Sequence, residues 1–96
     1  MTVYAIAQIS ITNRDSYNKY QARFMEVFAR FKGSLLAADA NPQVVEGPWD
    51  REKVILMSFP DEHSFQEWAQ SPEYKEIAID RKAGSAGVVL LAKGLS

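Results

Sequence analysis

An α+β protein with the element order β-α-β-β-α-β is predicted by three stretches of the sequence. Residues Val3 to Ile11 alternate with the two-residue period of a strand. Tyr17, Tyr20, Phe24, Val27, Phe28 and Phe31 recur at helical spacing. Arg51 to Tyr74 reads as a strand, a capped helix and a second helix start in one continuous run. The 96 residues are expected to form one domain spanning residues 1–96.

In the first strand Val3, Ala5, Ala7, Ile9 and Ile11 share one face, and Tyr4, Ile6, Gln8 and Ser10 share the other. One face is fully apolar and the other is mixed. Asn13 then serves as an N-cap for a long amphipathic helix, and Gly33 fits its C-terminal stop. The aromatic stripe of that helix is expected to pack against a sheet, with a cofactor cleft as the other use of the same spacing. Ser34 to Ala38 forms a short second strand that Asp39-Ala40-Asn41-Pro42 breaks, and Val44-Val45-Glu46 is placed to resume it. After the turn Gly47-Pro48-Trp49-Asp50 comes a third strand, Lys53 to Phe59, apolar on both faces. Pro60 ends its pairing, Asp61 caps a helix carrying Phe65, Trp68 and Ala69, and Ser71-Pro72 restarts it as N-cap and N1 with Tyr74, Ile77 and Ala78 on the inner face. Gly84 and Gly87 bracket a turn into a last strand, Val88 to Ala92.

This order is the ferredoxin-like split arrangement, a four-stranded antiparallel sheet with its helices on one face. Such helices leave the other face bare, so Tyr4, Ile6 and one apolar row of each later strand would meet water. A homodimer burying that face against a second copy is therefore expected.

Composition removes several classes of function. Eleven basic and twelve acidic side chains give a net charge of −1, without the basic excess that neutralises phosphates, so no nucleic-acid partner is expected. Cysteine is absent, which excludes disulfides, zinc-thiolate sites and a cysteine nucleophile. A reducing cytoplasm is the expected location. No apolar run approaches the ~20 residues that span a bilayer, and the N-terminus lacks the basic n-region of a secretory signal. No membrane role is expected. Gly-rich phosphate loops and Gly-x-Ser-x-Gly elbows are missing. The single histidine, His63, lies in the first turn of a helix and is expected to face solvent. With so few ligand types, neither a metal site nor a cofactor is expected.

Asp15-Ser16-Tyr17 with Tyr20, Gly33, Leu36-Ala37, Glu46-Gly47 with Trp49, Phe59-Pro60, Trp68, Ser71-Pro72-Glu73-Tyr74 and Arg81 follow one another over nearly the whole chain. In order and spacing they resemble the uncharacterised family called domain of unknown function 1330, within the dimeric α/β-barrel superfamily. The resemblance implies a ferredoxin-like protomer whose sheets pair across a dimer axis, with small clefts between sheet and helices. It does not imply a reaction. Two positions depart from the family pattern: Ala38 stands where relatives often carry an arginine, and Ser58 where an acidic residue often precedes Phe-Pro. If those residues pair in relatives, both halves are missing here.

Two functional classes follow. In the first, a homodimer binds a small organic molecule in the cleft without catalysis, or acts through its dimer surface alone. Arg81 would hold an anionic group by a two-pronged contact, and Tyr74, Trp68, Trp49 and Tyr4 are the aromatics expected to border the ligand. In the second, a cofactor-free isomerase or monooxygenase uses Glu46 or Asp39 as general base, with Arg81 as anion holder and Tyr74 as hydrogen-bond donor. Structural roles compete at each position. Glu46 has Arg51 and Arg81 as possible ion-pair partners, Arg81 suits a helix C-terminus, and the aromatics suit the core. Arg51 with Lys53, and Arg81 with Lys82, read as solvated basic pairs, Lys53 guarding an edge strand. A contact joining Tyr74, Arg81 and Glu46 is the expected focus of any function.

Overall fold

The computed structural model describes residues 1–96. Its elements are β1 (Val3–Ile11), α1 (Arg14–Phe28), β2 (Ser34–Asp39), β3 (Lys53–Phe59), α2 (Glu62–Ala69), α3 (Pro72–Gly84) and β4 (Ser85–Lys93). One antiparallel sheet runs in the order β2-β3-β1-β4. This is the ferredoxin-like arrangement, with the second helical segment divided into α2 and α3.

Each helix begins at a side-chain cap. The Asn13 carboxamide oxygen accepts the Ser16 N–H at 3.2 Å, the Asp61 carboxylate accepts the Ser64 N–H at 2.7 Å, and the Ser71 hydroxyl accepts the Tyr74 N–H at 3.1 Å. Ser71 also donates to the Trp68 carbonyl at 2.8 Å, which ties the end of α2 to the start of α3.

The register places Val3, Ala5, Ala7 and Ile9 beside Phe59, Met57, Ile55 and Lys53 on the helix-covered face. Tyr4, Ile6 and Gln8 stand beside Ser58, Leu56 and Val54 on the opposite, open face. Under the helices lie two apolar clusters. One joins Val3, Ala5, Phe28, Met57, Phe59 and Trp68, and the other joins Ala7, Ile9, Tyr17, Tyr20, Val27 and Ile77. Edge-to-face pairs such as Phe28–Phe59 at 5.9 Å and Phe28–Trp68 at 5.4 Å bind the first cluster. Each such pair adds about 0.5–1.5 kcal/mol beyond the area it buries.

Four local expectations are corrected. Helix α1 ends at Phe28, five residues before Gly33, and its last turn is closed by Arg30 and Phe31 N–H groups donating to the Val27 and Phe28 carbonyls. Gly33 is instead a place of close approach, since a Cβ there would lie 2.5 Å from the Phe28 ring and 2.6 Å from that of Phe59. Val44-Val45-Glu46 does not resume β2. It belongs to an irregular loop, and Val45 is 89% exposed. No turn lies between Gly84 and Gly87, because α3 runs directly into β4 and Gly87 already pairs with Ile9. Finally, Lys53 is not on an edge strand: β3 pairs on both sides, and the residue is buried.

Candidate functional site

Between the covered face of the sheet and the helices lies a cleft of about 730 Å³. Helix α1 brings Tyr17, Tyr20 and Phe24 to it, α2 brings Phe65 and Trp68, α3 brings Tyr74 and Arg81, and the sheet supplies Lys53, Ile55 and Met57. Seventeen of its 22 lining residues are hydrophobic and none is acidic. The wall therefore offers apolar contact, phenol hydroxyls and cations, with no carboxylate to act as base or counter-ion.

The cleft has two unlike ends. At one, Lys53 Nζ sits 5.0 Å from the centre of the Tyr17 ring, and Tyr17 packs on Tyr20 at 5.8 Å between ring centres. This ammonium is held by an aromatic face, and no carboxylate lies within ion-pair distance of it. At the other end Trp68 meets Phe24 edge-on at 6.3 Å and Tyr74 at 4.3 Å. Tyr74 connects the two, its ring 6.4 Å from that of Tyr20. Burial pushes the Tyr20 phenol well above its ordinary value of 10.0, the Tyr74 side chain adds to the rise, and the Arg81 charge opposes it. Tyr20 thus stays protonated at neutral pH and keeps its proton as a donor.

Two nitrogens of the wall are buried without a hydrogen-bond partner, Trp68 Nε1 and Arg81 Nε. Buried polar groups nearly always find partners, and an orphan marks a place where a partner is missing. Here both orphans are donors.

Among the residues singled out from the sequence, Arg81, Tyr74 and Trp68 stand on this wall. The others do not. Tyr4 is on the open face beside Ser58 and Ala92. Trp49 donates its indole N–H to the Gln8 side-chain oxygen at 3.0 Å. Glu46 and Trp49 border a separate shallow groove over Gln8 and Val54, which are open-face residues. Asp39 ends β2, where its exposed carboxylate accepts the Asn41 N–H at 2.9 Å. The expected contact of Glu46 with Tyr74 and Arg81 is accordingly absent, because the loop between β2 and β3 carries Glu46 to the other side of the sheet. Glu46 forms no ion pair either, since Arg51 meets Asp50 at 3.8 Å. His63 is exposed, 3.9 Å from Glu67. No group of three His, Asp or Glu side chains could hold a metal ion.

Lys53 is the site residue the sequence reading passed over. Its phase was legible: it shares the two-residue period of Ile55, Met57 and Phe59, and so the buried face. The departures at Ala38 and Ser58 also acquire a position. Ala38 lines the cleft while Ser58 pairs with Tyr4 on the open face, so side chains at these two positions point away from each other. A pairing between them within one protomer is excluded by the pleat.

Residues 2–95 match the family described as domain of unknown function (DUF1330). The chain belongs to that family. Among curated proteins no match is found. Solved structures share the fold at low identity. A protein of unknown function from Rhodopseudomonas palustris is 18% identical with a TM-score of 0.82, covering 99% of this chain and 83% of its own. SnoaB, a cofactor-independent oxygenase from Streptomyces nogalater, is 17% identical with a TM-score of 0.73, covering 99% and 94%. A dimeric ferredoxin-like protein of unknown function from Thermobifida fusca is 13% identical with a TM-score of 0.68, covering 97% and 92%. At these identities the likeness concerns the fold, and the DUF1330 chain's chemistry has to be read from its own cleft.

Proposed function

We propose that this DUF1330 protein is a homodimer that binds a small organic molecule in the helix-side cleft, with Arg81, Tyr74 and Trp68 as ligand contacts. The observation that carries this reading is one largely apolar cavity of about 730 Å³, in the range of small-molecule sites, whose wall brings Arg81, Tyr74 and Trp68 together. A bound molecule with oxygen acceptors would meet the Arg81 guanidinium and the Tyr74 side chain on that wall. Self-association is supported by the apolar open face and by the dimeric relative from Thermobifida fusca.

A thermal-shift screen against small acids, quinones and aromatic lactones tests the binding reading. A ligand present at 100 times its Kd stabilises the folded protein by about 2.7 kcal/mol, enough to raise the midpoint by roughly 10–20 °C in a domain of this size. If no member of such a panel moves the midpoint, the reading is wrong.

A second reading, a cofactor-free enzyme of isomerase or monooxygenase type, is favoured by one observation, the description of the Streptomyces nogalater relative as a cofactor-independent oxygenase. In this chain neither Glu46 nor Asp39 lines the cleft, so the expected carboxylate bases stand away from it. Oxygen uptake with hydroquinone-type substrates tests it: consumption above the protein-free rate supports turnover, and its absence leaves the binding reading alone.

A further inference from the structure

Resting on the cleft as the ligand site, we infer that it selects an apolar organic monoanion, whose acidic head sits between Lys53 and Arg81 and whose body lies along Phe24 and Trp68.

Charge sorting is the first support. The chain carries twelve acidic and eleven basic residues, yet the cleft wall holds Lys53, Lys75, Arg81 and Lys82 and not one Asp or Glu. In a nearly neutral protein that imbalance is local to the cavity, and it attracts anions while repelling cations. The second support is Lys53 itself. It is only 7% exposed, it lacks a carboxylate partner, and its ammonium rests on the Tyr17 ring. An ammonium so enclosed gives up part of its hydration without gaining an anion, and the aromatic face offsets only part of that loss. An incoming carboxylate would meet this charge where water is largely excluded, which strengthens the attraction. Arg81 lines the same cleft and lies close enough to Tyr20, the neighbour of Tyr17, to act on its titration. A two-oxygen head has acceptors for both cations.

The far end explains why the ligand is not a bare inorganic anion. Phe24, Phe65, Trp68 and Tyr74 form a rigid aromatic wall there, and a small ion would leave it unfilled.

The test is a fluorescence titration of the intact protein with 1-pyrenebutyrate and with 1-pyrenebutanol near neutral pH, where the acid is ionised. The expected result is that the wild type binds the acid at least about tenfold more tightly than the alcohol. Lys53→Met should erase that preference by weakening the acid until it binds no more tightly than the alcohol, with far-ultraviolet circular dichroism to verify folding. Arg81→Gln gives the same readout on a second residue should Lys53→Met fail to fold. Ala38→Trp, narrowing the cleft from the exposed edge strand, should weaken both ligands and so assign the signal to the cavity rather than to the open sheet face. Equal binding of acid and alcohol by the wild type, with both still weakened by Ala38→Trp, leaves the cleft reading intact and overturns the anion inference. A preference for the acid that survives in Lys53→Met overturns it too. Binding of neither probe, together with a silent thermal-shift panel, removes the cleft reading and this inference with it.

Discussion

Lys53 is 7% exposed, and its charge has an aromatic ring rather than a carboxylate for a neighbour. Methionine matches its length, packs against the same apolar surface and carries no charge to desolvate. In the absence of ligand, Lys53→Met is expected to leave the fold as stable or to stabilise it by about 0.5–2 kcal/mol, read by urea denaturation. A loss of more than that range would show that the Tyr17 contact outweighs the desolvation of the ammonium. Asp61 is the opposite kind of charge, exposed and engaged with the backbone. The Ser64 N–H and side chain hold its carboxyl below the ordinary value of 3.8. Because the folded value is depressed, the contribution of the charge is complete above 3.8 and disappears as the pH falls below it. Asn caps as well but does not titrate. The midpoint difference between wild type and Asp61→Asn is therefore expected to be constant through neutral pH and to shrink in acid, followed by thermal unfolding across the acid range.

At the level of elements, the glycines show how backbone proximity replaces turn geometry. Gly47 alone has a positive φ, 86°. Gly87 lies inside β4, and a side chain there would run into the Gln8 carbonyl oxygen of β1. Gly87→Ala is expected to push β1 and β4 apart and to cost about 1–3 kcal/mol, measured as a lowered denaturation midpoint with an unchanged slope. A neutral result would mean that the edge strand moves freely. Gly33 is governed in the same way by the Phe28 and Phe59 rings. The spacing of α1 announced a helix, but the end of that helix was set by packing beyond it, so a glycine read as a cap is a contact point instead. Ser71 behaved as its sequence context indicated, because a Ser-Pro N-cap needs only its own next turn.

At the level of the whole molecule, the chain is a slab of 33 × 31 × 16 Å, one helical layer on one sheet. Only 17 of its 96 residues are buried, which leaves a second apolar surface without cover. Ile6 sits on a central strand beside Leu56 and Leu90, and Val88 and Leu90 are 46% and 53% exposed on the same open face. A two-fold mate on this face would bury that row. Sedimentation of the wild type at micromolar concentration is expected to give a dimer, and Ile6→Glu, which places a charge mid-face, a monomer. A monomeric wild type would refute the association. The cleft lies on the other side of the sheet, so Ile6→Glu should leave ligand binding measurable.

What was legible in the sequence is local. The alternation of Val3 to Ile11, the aromatic period of α1 and the caps at Asn13, Asp61 and Ser71 depend on neighbours within a few residues, and they sufficed to determine the element order. The helical period placed Trp68 and Tyr74 on an inner face, where they line the cleft, and Arg81, singled out by its charge near the end of the last helix, lines it too. What only the tertiary structure decided concerns pairs far apart in the chain. Glu46 was linked to Arg81 by charge alone, and the path of the irregular loop from Ala40 to Glu52 carried it to the opposite side of the sheet. Lys53 was read by its charge as exposed, and the pairing of β3 on both edges buried it. The physical reason is the same in each case. Periodicity is a property of one element, whereas the side of a sheet on which a loop crosses and the strands that flank an edge are set by long-range pairing, which no local pattern encodes.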